Sequence, residues 1–544
     1  MSSSRSTSAS SSDSTPIRER LGRARPQASA VRRLDWRFLL PWPDPPPYRM
    51  VLLGADASLL AEARAAGLAR TLLDELPSSG TVDAIAVLQR ARARVADVSA
   101  FLAPGGVVYW EVDRLRHPAW TPSALRSRLE KRGVDVLDVY WAGPGFRRAN
   151  AYVSLGAEHA LGWYARSMFV PRTLARSIGV RALGRWTGWR PDRLGWGARR
   201  YAVVAGRYEG PRATPTVFEV GVEPEARAPH VVMLMGGEGD WSRVTLLPFE
   251  PDGREPARVV KAARRPAFGS SIETEQGALA EVRTLLGPGL RDSVPEPLGS
   301  YVWNGTMVGA EGFVSGRSMG ISLADHRSAW ADKLRDLRDA AGWLAEMHSR
   351  TLVGRDPWSR AWSAEMVGGL LRRYESVFGL REPEARLFEE TLRASEALEG
   401  IPFPRARWHR DFQPTNVFRD GKTIRVVDWE VSTVGPVLID LVYFILHWAW
   451  RSCGARTEDA RRDVFRELFV TGTGRAALAA RDEIARYRER LEVDARYVPI
   501  FVLVTMVALT LDRCARMKAM GDPDWDERGG NPHAGYVGLL AEVG

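Results

Sequence analysis

Cysteine is scarce: only Cys453 and Cys514 occur in 544 residues. Two thiols exclude a disulfide framework and a four-thiolate zinc site, and they fit a reducing, cytoplasmic setting. Long apolar runs are also lacking. The longest, Tyr497 to Leu511, contains Pro499, ends at Asp512 and Arg513, and spans 15 residues. A membrane-spanning helix needs about 18 or more, so a buried helix of a large lobe is expected and no transmembrane segment. No internal repeat at a solenoid period is found, which sets aside repeat architectures. Hydrophobic residues at 45% and charged residues at 26% are ordinary globular usage, so the chain as a whole is neither disordered nor fibrous. At about 150 residues per domain, the length suggests three domains, or two with extensions.

Charge is present but unevenly placed. Lys and Arg number 76 against 66 Asp and Glu, a formal net charge of +10. Residues 1–33 hold Arg5, Arg18, Arg20, Arg23, Arg25, Arg32 and Arg33 against Asp13 and Glu19, so half of the excess sits there. This segment opens with Ser at nine of its first fifteen positions and has no apolar stretch of the kind a secretory signal requires. It reads as a disordered basic Ser/Arg-rich tail. An organellar transit segment, or contact with nucleic acid or an anionic surface, is compatible with such a composition. A plain solvated extension is the preferred reading, and a nucleic-acid partner is not expected.

After the punctuation at Pro41, Pro43, Pro45, Pro46 and Pro47, strand and helix patterns alternate. Strands are expected at Met50 to Leu53, Thr71 to Leu73, Ala84 to Leu88, Val107 to Val112, Val134 to Val139 and Ala151 to Leu155. Strands separated by helical segments imply an α/β domain with a parallel sheet, placed at residues 34–165. Residues 166–214, rich in Arg, Trp and Gly, read as a connector. A strand-rich block follows at 215–320, with strands at Val231 to Met235, Val244 to Phe249, Arg258 to Ala262 and Gly299 to Trp303 and a helix from Ile272 to Leu286. From 321 to 544 the pattern is helical except for 407–440. A small β-rich lobe followed by a larger helical lobe gives an α+β two-lobed unit with a cleft, the usual place for a ligand.

The chemistry is concentrated in His409-Arg410-Asp411-Phe412-Gln413-Pro414-Thr415-Asn416 and in Val426-Val427-Asp428-Trp429-Glu430. Phosphoryl transfer needs an acidic group at the attacking hydroxyl and oxygen ligands for Mg²⁺. An Asp followed five residues later by an Asn on one loop can supply the first carboxylate and an amide oxygen. A second Asp at the end of a short strand supplies the remaining metal carboxylate.

These motifs resemble those of the aminoglycoside phosphotransferase and choline kinase family, of the protein-kinase-like fold, over roughly residues 215–530. The resemblance implies that Asp411 is the catalytic base, that Asn416 and Asp428 are Mg²⁺ ligands and that His409 is structural. The family usually has Gly where this chain has Arg410, which makes the loop also similar to the His-Arg-Asp loop of protein kinases. Gly435-Pro436 followed by Asp440-Leu441 resembles an element of the family's small-molecule kinases, with Asp440 structural at the site. No long activation segment or Ala-Pro-Glu motif fits between Asp428 and Gly435, which disfavours peptide substrates. Upstream, Lys261 in Val259-Val260-Lys261-Ala262 resembles the lysine that contacts nucleotide phosphates, with Glu275 as its ion-pair partner and Glu281 as the fallback. Gly236-Gly237-Glu238-Gly239-Asp240-Trp241-Ser242 stands where the loop covering the phosphates is expected. Its glycines let backbone approach phosphate, and Gly236, Gly237, Gly239 and Ser242 are the candidate contacts.

The first domain resembles a truncated, degenerate class I methyltransferase fold. Phe101-Leu102-Ala103-Pro104-Gly105-Gly106 is similar to the turn before that family's fifth strand, and Asp74 stands where a strand-end acid would bind a ribose. The first turn, Leu53-Gly54-Ala55-Asp56-Ala57, carries a single glycine where a cofactor turn needs several, so S-adenosylmethionine binding is not expected. Tyr443, Phe444, Trp448 and Trp450 are expected to pack against the catalytic loop, with stacking on a sugar ring as the sharper option.

The sequence thus points to an ATP- and Mg²⁺-dependent phosphotransferase acting on a hydroxyl of a small molecule: a sugar, amino sugar or amino alcohol. A catalytically weak kinase-like binding or scaffold protein, and a bifunctional methyltransferase-kinase, are the alternatives.

Overall fold

The computed structural model describes residues 30–42, 46–146, 149–168, 198–209, 215–221, 230–237, 239–519, 528 and 530–542. The Ser-rich start of the chain, most of the expected connector, and Glu238 lie outside the described residues. Arg32 and Arg33, counted with the tail in the sequence, instead belong to a folded 3-10 helix, Ala30–Leu39. Arg32 donates to the Ala149 carbonyl and to Asn150 Oδ1, each at 3.0 Å, and Arg33 pairs with Asp56 at 3.0 Å. Fixed acceptors, rather than solvent, take up their charge.

Twelve strands form one continuous sheet. They are β1 (Arg49–Leu53), β2 (Thr71–Leu73), β3 (Val82–Val87), β4 (Leu102–Asp113), β5 (Asp135–Gly143), β6 (Ala151–Ser154), β7 (Arg200–Gly206), β8 (His230–Leu234), β9 (Arg243–Phe249), β10 (Arg258–Ala263), β11 (Pro297–Trp303) and β12 (Thr306–Gly312). Their spatial order is β11-β12-β10-β9-β8-β6-β5-β7-β4-β3-β1-β2. Only β2-β1-β3-β4 is parallel; β7, β5 and β6 run antiparallel. The expected parallel sheet is therefore a mixed one. Strand β7, from the stretch read as connector, lies in the middle between β4 and β5. Its apolar core Tyr201-Ala202-Val203-Val204-Ala205 is fully buried, but Arg- and Gly-rich neighbours mask so short a run in the sequence.

The junction between the two expected domains is a strand pair. β6 and β8 pair antiparallel with Ala151 opposite Leu234 and Val153 opposite Val232. Each strand covers what would be an open edge of the other sheet, with its unpaired backbone groups. Apolar packing crosses the same junction. One core runs from Met50, Leu59 of helix α1 (Ala57–Ala65) and Tyr109 through Tyr152 and Met233 to Val260 and Val308. Trp36 of the 3-10 helix stacks on Tyr109 at 4.5 Å, and Phe38 contacts Trp303 at 5.7 Å, so this helix lies across both parts. On the other face, α2 (Val95–Phe101) and α3 (Pro122–Glu130) cover a second core around Ile85, Val108 and Val203.

Helix α4 (Ser270–Leu286) packs on β11 and β12. The larger lobe centres on α5 (Trp330–Arg350), α6 (Val437–Ser452) and α7 (Tyr497–Ala519). α7 extends past the expected apolar run, and among the described residues it is the one helix long and apolar enough to cross a membrane by length and composition. Its Tyr497, Phe501, Met506 and Val507 are buried in the lobe's own core. Beneath the cleft lie two small sheets: β13 (Arg317–Ser318), β16 (Val417–Asp420) and β17 (Thr423–Val426), and β14 (Leu352–Pro357), β15 (Pro402–Trp408) and β18 (Thr433–Pro436). Residues 409–416 leave the end of β15, and Asp428 follows β17, so both acids emerge at the cleft.

Candidate active site

A cavity of about 1130 Å³ opens between the lobes, lined by Gly236, Gly237, Gly239 and Ser242 from one side and by Lys261, Asp411, Asp428 and Tyr443 from others. Glu275 and Asn416 lie just behind this lining, buried, and His409 and Asp440 are buried beneath the 409–416 loop. The structure thus gathers all eleven sequence-predicted site residues around one cleft.

The loop is held from below by Asp440, in the first turn of α6. Its carboxylate accepts from the backbone N–H of His409 at 2.7 Å and of Arg410 at 2.9 Å. His409 Nδ1 accepts from the Asp411 N–H at 3.3 Å while Nε2 meets the Val427 carbonyl at 3.1 Å, so the ring carries its proton on Nε2 and ties the loop to the strand end before Asp428. Arg410 adopts φ 67° and Asp428 φ 72°, the left-handed region where a side chain is strained by about 1–3 kcal/mol. Glycine meets no such penalty at position 410. Here the loop tolerates arginine because its N–H is fixed by Asp440 and its guanidinium stacks over Trp408 at 5.3 Å.

Asp411 receives hydrogen bonds from Gln413 Nε2 at 2.9 Å, Asn416 Nδ2 at 2.8 Å and the Tyr443 hydroxyl at 3.1 Å. Burial, and after it the neighbouring Asp428 carboxylate, push the Asp411 carboxyl above the ordinary aspartate range, against the pull of His409 and of the Gln413 and Tyr443 hydrogen bonds. A carboxylate tuned upward is a better proton acceptor, which suits a general base.

On the other side, Lys261 Nζ sits 2.5 Å from Glu275 Oε1 and 3.0 Å from Glu311 Oε1. Burial works against the ammonium, but the two carboxylates overcompensate and hold its pKa above the usual lysine value. Glu281, the fallback partner, pairs instead with Arg407. Burial pushes Glu311 up to about 7 even though Lys261 opposes it, while Lys261 and Arg243 together overcome burial and keep Glu275 low.

Residues 252–483 match the sequence model of the Phosphotransferase enzyme family. The match lies in the C-terminal part of the chain and spans less than half of its length. Among solved structures, similar folds include a choline/ethanolamine kinase family protein from Mesorhizobium loti (15% identity, 60% of this chain and 92% of that one, TM-score 0.36). Others are an amicoumacin kinase in complex with AMP-PNP, Ca²⁺ and Ami (13%, 59% and 89%, TM-score 0.37) and a putative fructosamine-3-kinase from Thermobifida fusca (21%, 53% and 93%, TM-score 0.29). No curated protein matches the chain.

The segment that matches the family model holds Lys261, Glu275, Asp411, Asn416 and Asp428, whereas the glycine-rich loop lies just before it. The donor set fits a divalent cation. Asn416 gives its amide protons to Asp411, at the carbonyl oxygen and at Oδ2, which leaves its own Oδ1 as an acceptor, and the Asp428 carboxylate lines the cavity.

Four residues of the site have no catalytic or binding role assigned to them from the sequence motifs. Arg243, at the start of β9, reaches Glu275 at 2.5 Å, Asp428 at 3.6 Å and Glu430 as an ion pair. Glu311 lies on β12, a strand absent from the sequence reading. Gln413 stands in the loop motif without a role of its own, and Tyr443 is expected to pack on the loop or to stack on a sugar ring. Tyr443 is the member of its aromatic group that lines the cavity; Phe444 packs on Phe412, and Trp448 donates to the Lys333 carbonyl.

Proposed function

We propose that the chain is an ATP- and Mg²⁺-dependent phosphotransferase that delivers the γ-phosphoryl group to a hydroxyl of a small molecule such as a sugar, amino sugar or amino alcohol. The observation that carries this reading is the convergence of Asp411, Asp428, Lys261 and the glycine-rich loop on one cavity, within a chain whose residues 252–483 match the model of the Phosphotransferase enzyme family. Its volume falls at the upper end of ordinary ligand pockets, large enough for a nucleotide and a second substrate.

In this reading Asp411 accepts the acceptor's hydroxyl proton as that oxygen attacks the γ-phosphorus, and ADP leaves with the bridging oxygen. Gln413 and Tyr443 aim the carboxylate. Lys261, fixed by Glu275 and Glu311, holds the nucleotide phosphates, and the loop at 236–242 covers them. Asn416 and Asp428 would hold Mg²⁺, which neutralises phosphate charge when bound.

Replacement of Asp411 by Asn in the full chain is expected to lower turnover about 10²- to 10⁴-fold while the thermal shift with ATP and Mg²⁺ persists. Unchanged ATP consumption in a substrate panel sinks the assignment. The scaffold alternative has one observation in its favour: Arg243 already neutralises Asp428 and Glu430. Absence of any thermal shift with ATP and Mg²⁺ would support it. The bifunctional alternative lacks space. Beside the first turn the cavity measures about 30 Å³, and a Cβ on Gly54 would meet Ala91 N at 2.7 Å, while a cofactor pocket needs about 300 Å³ or more.

A further inference from the structure

Among the described residues, the N-terminal α/β unit reaches the glycine-rich loop through two arginines, Arg264 and Arg265, three and four positions after Lys261. Arg264 is fully buried, and its guanidinium serves two partners at once. On one side it faces Asp35 of the 3-10 helix, with Nε at 2.9 Å and Nη2 at 2.9 Å from Oδ2, and Asp35 is equally buried. On the other, Nη1 donates to the Gly237 carbonyl at 2.6 Å and the Gly239 carbonyl at 2.9 Å, and Nη2 donates to the Met235 carbonyl. Arg37, two residues along the 3-10 helix from Asp35, donates to the backbone carbonyl of Arg264 at 2.6 Å.

Arg265 repeats the pattern at the loop's far end. It holds Asp240 at 2.7 Å and is itself held by Glu62 of α1. Loop entry is tied as well, since the Met235 N–H donates to the Asn150 carbonyl at 3.0 Å. A trans peptide points C=O and N–H in opposite directions. Fixing the Met235 and Gly239 carbonyls on Arg264 therefore turns the amides of Gly236 and Asp240 away from it, and both of these residues line the cavity. A loop of four glycine or serine residues in seven has a large conformational entropy to lose on closing over a ligand. The arginines remove much of that freedom in advance.

We propose that the N-terminal unit is a built-in clamp of the phosphate-covering loop, with Asp35 and Arg264 as positioning residues that preorganise it for nucleotide. This inference rests on the nucleotide role of that loop, and the experiment separates the two. Asp35→Asn, Arg264→Lys and Glu62→Gln are made in the full chain. Hydrogen exchange of the 235–242 amides is measured without nucleotide, and ATP affinity is measured by calorimetry with Mg²⁺. Arg264→Lys keeps the charge facing Asp35 but cannot span three carbonyls, so a purely charge-pairing role predicts no change in it.

The clamp predicts faster exchange at 236–242 in Asp35→Asn and Arg264→Lys, with β9 and β10 protection retained, and ATP affinity weakened about 5- to 150-fold, the usual span of coupling between sites. Glu62→Gln, a partly exposed change that folding tolerates, should move both readouts the same way by less. Wild-type loop exchange in Arg264→Lys and Glu62→Gln overturns the clamp. Wild-type protein that fails to bind ATP overturns the nucleotide reading instead, while loop exchange still decides the clamp.

Discussion

Replacement of Lys261 by Met keeps most of the side chain's volume and removes its charge from between Glu275 and Glu311. The two carboxylates are 1% and 3% exposed, so neither can turn to solvent. Glu275 keeps Arg243 at 2.5 Å. Glu311 keeps nothing comparable, for its Oε2 already lacks a hydrogen-bond partner. An uncompensated buried charge is destabilising by about 3–5 kcal/mol, and the surviving Arg243 contact sets the expectation near the lower figure. Glu311 escapes part of that by taking a proton, which makes the loss pH-dependent.

The sign follows from burial. In the wild type the Glu311 pKa is raised from 4.5 to about 7, so its favourable contribution is full below the ordinary glutamate value and is lost as pH rises through about 7. Without Lys261 the folded-state value rises further, and the variant should lose about 3 kcal/mol at pH 9 but only about 1 kcal/mol at pH 6. At about 2–4 °C per kcal/mol this is a Tm drop of roughly 6–12 °C at pH 9 and a few degrees at pH 6. Thermal unfolding followed at the two pH values measures it. The double variant Lys261→Met/Glu311→Gln should recover most of the pH 9 loss. Equal drops at both pH values, or no recovery in the double variant, would refute the buried triad as the cause.

Two further outcomes are expected. Because burial and Asp428 raise the Asp411 carboxyl, kcat should fall on the acid side with a midpoint above the ordinary aspartate value, and Asp411→Asn should abolish that limb; a wild-type limb at or below about 3.9 contradicts the geometry. Gly236 has φ 55°, and a Cβ there would meet the Arg243 carbonyl at 2.3 Å, so Gly236→Ala should weaken ATP binding about tenfold or more and lower Tm by a few degrees; equal affinity by calorimetry counts against the loop's placement.

Much of the strand pattern is legible in local sequence, since the edges of β1, β2, β9 and β10 fall within a residue of the apolar runs that announce them. The exceptions show why periodicity fails. β7 is a short apolar run set among Arg and Gly, and its central place in the sheet depends on partners 60 to 99 residues upstream. β12 follows β11 after a two-residue turn that apolar counting does not reveal. At the site, Asp411, Asn416 and Asp428 stand out because a loop and a strand end fix their spacing within eighteen residues. Arg243, Glu311 and Arg264 do not, because each is recognisable only by the charge it meets across strands or helices.

Sequence alone therefore determined the chemical groups: a carboxylate, an amide and a second carboxylate on adjoining segments, a strand lysine, and a glycine-rich turn. Such groups are set by residue type and short-range spacing, which backbone geometry carries over directly. Tertiary structure decided how those groups are held and tuned. The pairing of β6 with β8, the shared core under Trp36 and Phe38, and the Asp35–Arg264 contact 229 residues apart join two units into one sheet. Burial decided the rest, because the pKa of Asp411 and the partnering of Lys261 depend on what excludes water and what charge lies opposite, and neither is written in any local stretch of the chain.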